Sequence, residues 1–352
     1  MEAKVEVIDI DKKFRKYYKH LFRGIILILL GVGMLVYMFF IDSPVKEYSK
    51  DLFYMDTYIS IQVFSKNKTT AKKALEEVDN IYKNYHQLTS RYDDYNIKNI
   101  YYINNKLDVN KKIEIDEDLY EIIKYGIAVY DNTDGLVNIA IGNAIDVWNK
   151  YKEIGTSVPS YEELSTSGSI NIKDIILHKD NMIEKTSDVK LDLGALAKGY
   201  VTDIVGEYLE SLGIDKYIIN AGGNVKVGNH YDNKEYRIGL EKPIKDSMDI
   251  YKVVKGNNVS VVTSGSYERF YNVNDKIYHH IIDPNTLFPP LNMYSVTIIT
   301  ASSKLADTLS TQLFLMTIEE GMDYINKLGD VEAVWYGIDD EIYYSKGFSK
   351  YE

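Results

Sequence analysis

The sequence predicts an α+β fold, with mixed and antiparallel sheets and packed helices, preceded by one N-terminal transmembrane helix. Three observations carry that prediction. Short β-rich runs recur between residues 215 and 300 without the regular strand–helix alternation of a parallel sheet. Amphipathic stripes at i, i+3, i+4 spacing stand before and after them. Residues 24–41 (GIILILLGVGMLVYMFFI) form an uncharged apolar run of 18 residues. At a helical rise of roughly 1.5 Å per residue that is about 27 Å, close to a bilayer core.

The N-terminal part comes first. Lys12, Lys13, Arg15, Lys16, Lys19 and Arg23 precede the apolar run and Asp42 follows it. The positive-inside bias then places residues 1–23 in the cytoplasm and the bulk of the chain outside. The run is long for a signal peptide, and Asp42-Ser-Pro-Val-Lys46 offers no small-x-small cleavage site. The expectation is therefore a basic tail (1–23), an uncleaved anchor (24–41), a linker (42–50) and one domain (51–352). The chain contains no cysteine, which excludes lipid attachment through an N-terminal cysteine and leaves the domain to stand on its hydrophobic core. A formal net charge of −11 argues against a nucleic-acid surface, so any phosphate site must be local. The 32 tyrosines read as strand and core filling rather than a base-stacking surface.

Along the domain, residues 54–64 (YMDTYISIQVF) read as a strand. From Thr70, the stripe Ala71, Leu75, Val78, Ile81, Tyr82, Tyr85, Leu88 reads as a helix. Leu119, Ile122, Ile123, Ile127 and Tyr130 mark a second, ending at the turn signal Asn132-Thr-Asp-Gly135. Val201, Ile204, Val205, Tyr208 and Leu212 mark a third, stopped by Gly213. Strand runs follow at 217–220, 236–240, 259–263, 277–282 and 295–300. Ser302 or Ser303 then caps a helix to about residue 316, and runs at 333–336 and 342–344 close the chain.

Several constellations suit chemistry. In KLDLGALAKGY (190–200), Asp192 closes an apolar run, Gly194 opens a helical pattern and Lys198 sits one turn in, where N–H groups and an ammonium can meet an anion. Asn220-Ala-Gly-Gly-Asn224 follows. Asp307 and Thr311, spaced i, i+4, present oxygens from one helix face and suit a hard cation such as Mg²⁺; an ordinary helix-start Asp with a surface Thr is the plainer reading. His280 and Asp283, in HHIIDP, offer a general base and a partner, or merely structural side chains. The turn Thr263-Ser264-Gly265-Ser-Tyr-Glu-Arg269 supplies hydroxyls, N–H groups and a guanidinium that fit phosphate oxygens. Met55-Asp-Thr57, Ser90-Arg-Tyr92 and Asp134-Gly-Leu-Val-Asn138 can frame a flat ring.

In order, the segments YMDTYISI, TSRYDDYNIKNIYYIN, DGLVNIAIGNAIDVW, LDLGALAKGYVTD, INAGGNVKVG, VVTSGSYERF, HHIIDP and SVTIITASSKLADTLST resemble the ApbE-type FAD:protein FMN transferases over nearly all of residues 52–330. The resemblance implies FAD as substrate, Mg²⁺ as cofactor, and transfer of FMN to a threonine hydroxyl of another protein with release of AMP. By position it implies a metal site at the Asp307 carboxylate, the Thr311 hydroxyl and the Ala195 carbonyl. Implied flavin and pyrophosphate contacts fall on Met55, Tyr92, Leu136, Val137, Asn138, Asp192, Lys198, Ser264, Gly265 and Pro290. His280 with Asp283 is the implied catalytic pair.

The chain departs from the family pattern at three places. Asp56 replaces a glycine, Asn138-Ile-Ala140 replaces Asp-x-Thr, and Leu287 replaces a glycine in the turn after Asp283-Pro284. No family-style Asp-Gly-x-Ser/Thr-Gly-Ala-Thr acceptor segment occurs here, so the acceptor is expected to be a separate extracytoplasmic protein. The expected setting is the bacterial cell membrane, with the anchored enzyme flavinylating electron-transfer proteins. The alternatives are Mg²⁺-dependent hydrolysis of FAD to FMN and AMP, and a surface protein that binds FAD without turning it over.

Overall fold

The computed structural model describes residues 10–40, 44–244, 247 and 249–352, and the chain divides into two units at Lys46/Glu47. The start of the expected tail and residues 41–43 lie outside the described residues. In the first unit a single helix, Ile10–Phe40, takes in residues 10–23 that were expected to form the tail. Its stretch Phe14–Tyr37 is long and apolar enough to cross a membrane, and its large apolar side chains, Leu27, Leu29 and Leu35 among them, are exposed.

The second unit is built on an eight-stranded sheet. Its order is Lys46–Tyr54, Thr57–Ser65, Tyr217–Ala221, Asn224–Val227, Val259–Gly265, Met293–Thr300, Glu332–Gly337 and Ile342–Tyr344. From Thr57–Ser65 onward every pairing is antiparallel. Parallel pairing among the described residues is confined to the isolated bridges Ile141–Lys190 and Ser169–Val189.

The run 54–64, expected as one strand, is broken into a hairpin, and residues 46–50, expected in the linker, begin its edge strand. The break falls at Met55 and Asp56, with φ of 54° and 57°. Left-handed φ at both central residues matches the twist of a two-residue hairpin, but neither side chain is the Asn or Gly that announces such a turn.

Helices cover this sheet. Lys68–Thr89, capped by Asn67, and Ala197–Ser211 bury Leu75, Val78, Tyr82, Val201 and Val205 with Ile59, Ile61, Tyr217 and Ile219. Ser303–Phe314, capped by Ser302, buries Leu309, Leu313 and Phe314 with Val296, Ile298, Ala333 and Trp335. Each such side chain contributes about 1.5–3 kcal/mol by leaving water. A third core joins Leu119, Ile122 and Ile123 of helix Glu117–Asn132 to Ile139, Leu191, Leu193 and Leu196, and so fixes the loop that leads into Lys198. Helix Gly142–Ile154 went unread because it starts at Ile141 with no side-chain cap.

Candidate active site

Two helices cross at the centre of the site. A Cβ on Gly199 would lie 2.5 Å from both Asp307 Cβ and the Ser303 carbonyl oxygen, so only glycine permits this approach. Asp203, one turn along, ties the pair together. Its carboxylate accepts from Ser302 Oγ (2.7 Å), Ser303 N (2.8 Å) and Lys304 N (3.0 Å), and pairs with Lys226 at 2.9 Å. Burial raises the proton affinity of Asp203, but Lys226 and these donors outweigh it and hold its pKa below the usual carboxylate value. An acid on one helix thus caps the other.

The close crossing brings the Gly199 N–H to Asp307 Oδ2 at 2.7 Å. In a regular helix that N–H would go to the Ala195 carbonyl; no such bond forms, so the carbonyl is left to another partner. Asp307 is buried, and burial pushes its pKa up against the charge of Lys198 and the Gly199 N–H. A buried carboxylate in this state favours a cation beside it. Thr311 stands half-buried one turn further. No group of three or more His, Cys, Asp or Glu side chains placed to hold a metal ion exists among the described residues. The available donor set, one carboxylate, one hydroxyl and one carbonyl, fits a hard cation that keeps water or phosphate oxygens as its remaining ligands.

Lys198 makes no ion pair among the described residues, yet its charge lowers the proton affinity of both Asp307 and His280. The two motifs that stood far apart in sequence therefore share one ammonium. His280 is exposed at the surface of the site. Desolvation, then the charges of Arg269, His279 and Lys198, push its pKa down to about 3. Water at the ring moderates the size of that shift, not its direction, and the ring is neutral at neutral pH. His280 Nδ1 donates to the Arg269 carbonyl at 3.3 Å, which leaves Nε2 with the lone pair.

Asp283 is not the partner of His280. Its carboxylate accepts from Asn285 N (2.8 Å) and Thr286 Oγ1 (3.3 Å), and its carbonyl from Leu287 N (2.7 Å), which makes it the organiser of its own turn. Leu287, at φ 63°, holds the left-handed position of that turn. Its buried side chain packs with Trp148, whose Nε1 donates to the Leu287 carbonyl at 2.8 Å. His279 is structural: its Nε2 donates to the Pro290 carbonyl at 2.5 Å, anchoring that loop, and its ring meets Phe314 edge-on.

The rim opposite is the Met55–Asp56 turn. Met55 N donates to His86 Nδ1 (3.1 Å), and His86 Nε2 meets the Tyr95 hydroxyl (2.9 Å). Asp56 pairs with Arg269 at 2.8 Å, so the extra negative charge is neutralised on the spot. Thr57 fills the space a Cβ would take on Gly222, at φ 58°, and the Gly223 carbonyl accepts from Thr263 N at 3.2 Å. Ser264 Oγ donates to Ser310 Oγ at 2.9 Å, joining this turn to the Asp307 helix, and a Cβ on Gly265 would strike the Tyr267 ring.

The remaining expected contacts surround a buried cation that sequence reasoning missed. Arg91 pairs with Asp192 (2.7 Å) and Asp146 (2.5 Å) and donates to the Gly142 carbonyl (2.9 Å); Lys190 pairs with Asp146 at 2.7 Å. Asp192 Oδ1 accepts from Gly194 N at 2.8 Å, so both its oxygens brace the loop before Lys198. Arg91 and Asp146 stood within the family segments, but nothing local says that a cation 55 residues away will need the acid. Tyr92 is 64% exposed and leaves a ring face open. The Val137 side chain is buried and its N–H donates to Thr133 Oγ1, while Leu136 packs beside the core that holds Ile281. Asn138 donates to the Ile170 carbonyl (2.9 Å) and accepts from Ala140 N (2.9 Å); an aspartate could only accept.

Comparison with known proteins agrees with this frame. An ApbE family model matches residues 55–335, and the chain belongs to the ApbE family. A Klebsiella pneumoniae protein named FAD:protein FMN transferase is 29% identical over 307 residues, spanning 84% of this chain and 90% of its own. A Vibrio cholerae protein of the same name is 31% identical over 205 residues, 57% of this chain and 61% of its own. The crystal structure of the ApbE protein from Thermotoga maritima superposes with a TM-score of 0.78 at 28% identity, covering 87% of this chain and 99% of that one.

Proposed function

We propose that this chain transfers FMN from FAD to a threonine hydroxyl of another protein, with Mg²⁺ bound at Asp307, Thr311 and the Ala195 carbonyl. The observation that supports it most directly is the buried Asp307 carboxylate held by the Gly199 N–H, next in the chain to Lys198, which is unpaired among the described residues. Mg²⁺, when bound, would supply positive charge to the pyrophosphate as its P–O bond weakens. Lys198 adds a mobile cation on the same group. His280, its Nε2 lone pair exposed by the Nδ1 bond to Arg269, takes the acceptor hydroxyl proton. A new Oγ–P bond forms to the phosphorus next to riboflavin, the P–O bond to the bridging oxygen breaks, and AMP leaves with that oxygen. Tyr92, Met55 and the Leu136–Asn138 segment hold the flavin ring, and the Arg91–Asp192 brace keeps the Lys198 loop in place for it. The Phe14–Tyr37 stretch anchors the enzyme in a membrane, with the second unit on the outer side.

The test uses the full chain in detergent with FAD and an acceptor domain carrying the family's threonine motif, with intact mass read on the acceptor. A gain matching FMN that requires Mg²⁺ is expected. Free FMN and AMP with no gain would make the protein a hydrolase, and intact FAD throughout would make it a binding protein.

A further inference from the structure

We propose that Arg269 is the positioning residue for His280 and that Asp56 is its anchor; this rests on the transferase reading above. The Arg269 carbonyl accepts twice from the same residue, from His280 N at 3.1 Å and from His280 Nδ1 at 3.3 Å. The first bond places the backbone and the second fixes which ring nitrogen carries the proton. The guanidinium of Arg269 reaches the other way, to the Asp56 carboxylate at 2.8 Å and the Asp56 carbonyl at 3.2 Å. One residue therefore spans from the turn bearing Met55 to the base.

Geometry assigns this role better than stability does. Asp56 and Arg269 are both well exposed, and an exposed ion pair adds little to the folded state. What the pair does is restrain a carbonyl. Arg269 stands in the bend between Val259–Gly265 and the strand Phe270–Val273, and its bond from His280 N extends the pairing of Phe270 with His279, so the guanidinium anchor at Asp56 acts on the outer end of that ladder, where fraying would let the imidazole take either tautomer. Asp56 belongs to a hairpin whose own position is set by the Met55 bond to His86 and by Thr57 against Gly222, so it offers a fixed point. Its left-handed backbone is one that glycine adopts without strain, and a side chain is kept there where it holds the arginine.

The experiment compares the full chain with Arg269→Ala, Arg269→Lys and Asp56→Gly in detergent, measuring flavin transfer kinetics and the ¹⁵N-histidine NMR spectrum. Wild type is expected to show His280 with Nδ1 protonated and Nε2 bare. Arg269→Ala is expected to lower kcat about tenfold at a nearly constant KM for FAD, and to give a mixed tautomer signal. Arg269→Lys should recover part of the rate, Asp56→Gly should cost about threefold, and adding Asp56→Gly to Arg269→Ala should cost nothing more, because both act through one bridge. A raised KM for FAD at constant kcat would overturn the proposal by making Arg269 a substrate contact. Unchanged tautomer and rate in Arg269→Ala would overturn it outright. If wild type transfers no flavin, the transferase reading fails, while the tautomer comparison still decides the positioning role.

Discussion

The helix crossing at Gly199 and the rim at Asp56 hold opposite sides of one site by different means. At the crossing the parts are buried, glycine-spaced and joined by backbone donors, so the Asp307 carboxylate cannot move without moving the core. At the rim the parts are exposed and joined by an ion pair and single hydrogen bonds. Packing makes the first region intolerant of substitution, whereas solvent screening makes the second cheap to substitute in stability even where its geometry is held. Asp56, Asn138 and Leu287, the positions read from the sequence as departures from the family pattern, each have a local contact: an ion pair to Arg269, a bond to the Ile170 carbonyl and packing on Trp148.

The sharpest test of the contrast is Asp307→Ala. It should lower flavin transfer about a thousandfold at any Mg²⁺ concentration, measured by acceptor mass, because it removes the carboxylate at the proposed metal position. Transfer that survives would remove the metal assignment.

His280→Gln should follow, at about a hundredfold or more, and the pH dependence of wild type sharpens it. A histidine of ordinary pKa would lose half its base near pH 6.5; the pKa of His280 is pushed down, so the acid limb of kcat/KM should lie below that. A limb near 6.5 would show that the ring is not desolvated. The sign for stability agrees: between about pH 3 and 6.5 only the unfolded chain binds this proton, so the contribution of His280 is complete above 6.5 and is lost as pH falls toward 3.

Gly199→Ala should destabilise by about 1–3 kcal/mol, seen as a lower melting temperature, because the new methyl meets Asp307 and the Ser303 backbone. Leu287→Gly should cost a similar amount. Losing a buried leucine removes about 2–5 kcal/mol, and relief of its left-handed backbone returns about 1–2. A gain in stability would show that the turn, not the Trp148 contact, dominates there. The smallest effect belongs to the rim: Asp56→Gly should change the unfolding free energy by less than about 1 kcal/mol while still changing turnover.

Much of the fold was legible. The stripes at Ala71–Leu88 and Leu119–Tyr130 are single-face patterns, and helices stand there with Asn67 and Asp116 as caps. Strand runs near 217, 236, 259 and 295 were found within a few residues. What escaped lacked a local mark. The hairpin break at Met55–Asp56 carries no glycine, the helix from Gly142 has no cap, and the short strands Phe270–Val273 and Ile250–Gly256 depend on a partner strand to exist. At the site, residue types were legible and partnerships were not. His280 and Asp283 stand three residues apart in the chain, yet the base bonds to Arg269 and the acid to its own turn.

The sequence by itself determined the apolar helix, the amphipathic faces and the ordered motifs, because each depends on residues within a turn or two of one another. The tertiary structure decided which charges meet. Gly199 finds Asp307 across 108 residues, Arg91 finds Asp192 across 101, and Arg269 finds Asp56 across 213. Such contacts follow from how helices cross and turns close. Those distances and burials set which carboxylate favours a cation and which imidazole nitrogen keeps its lone pair.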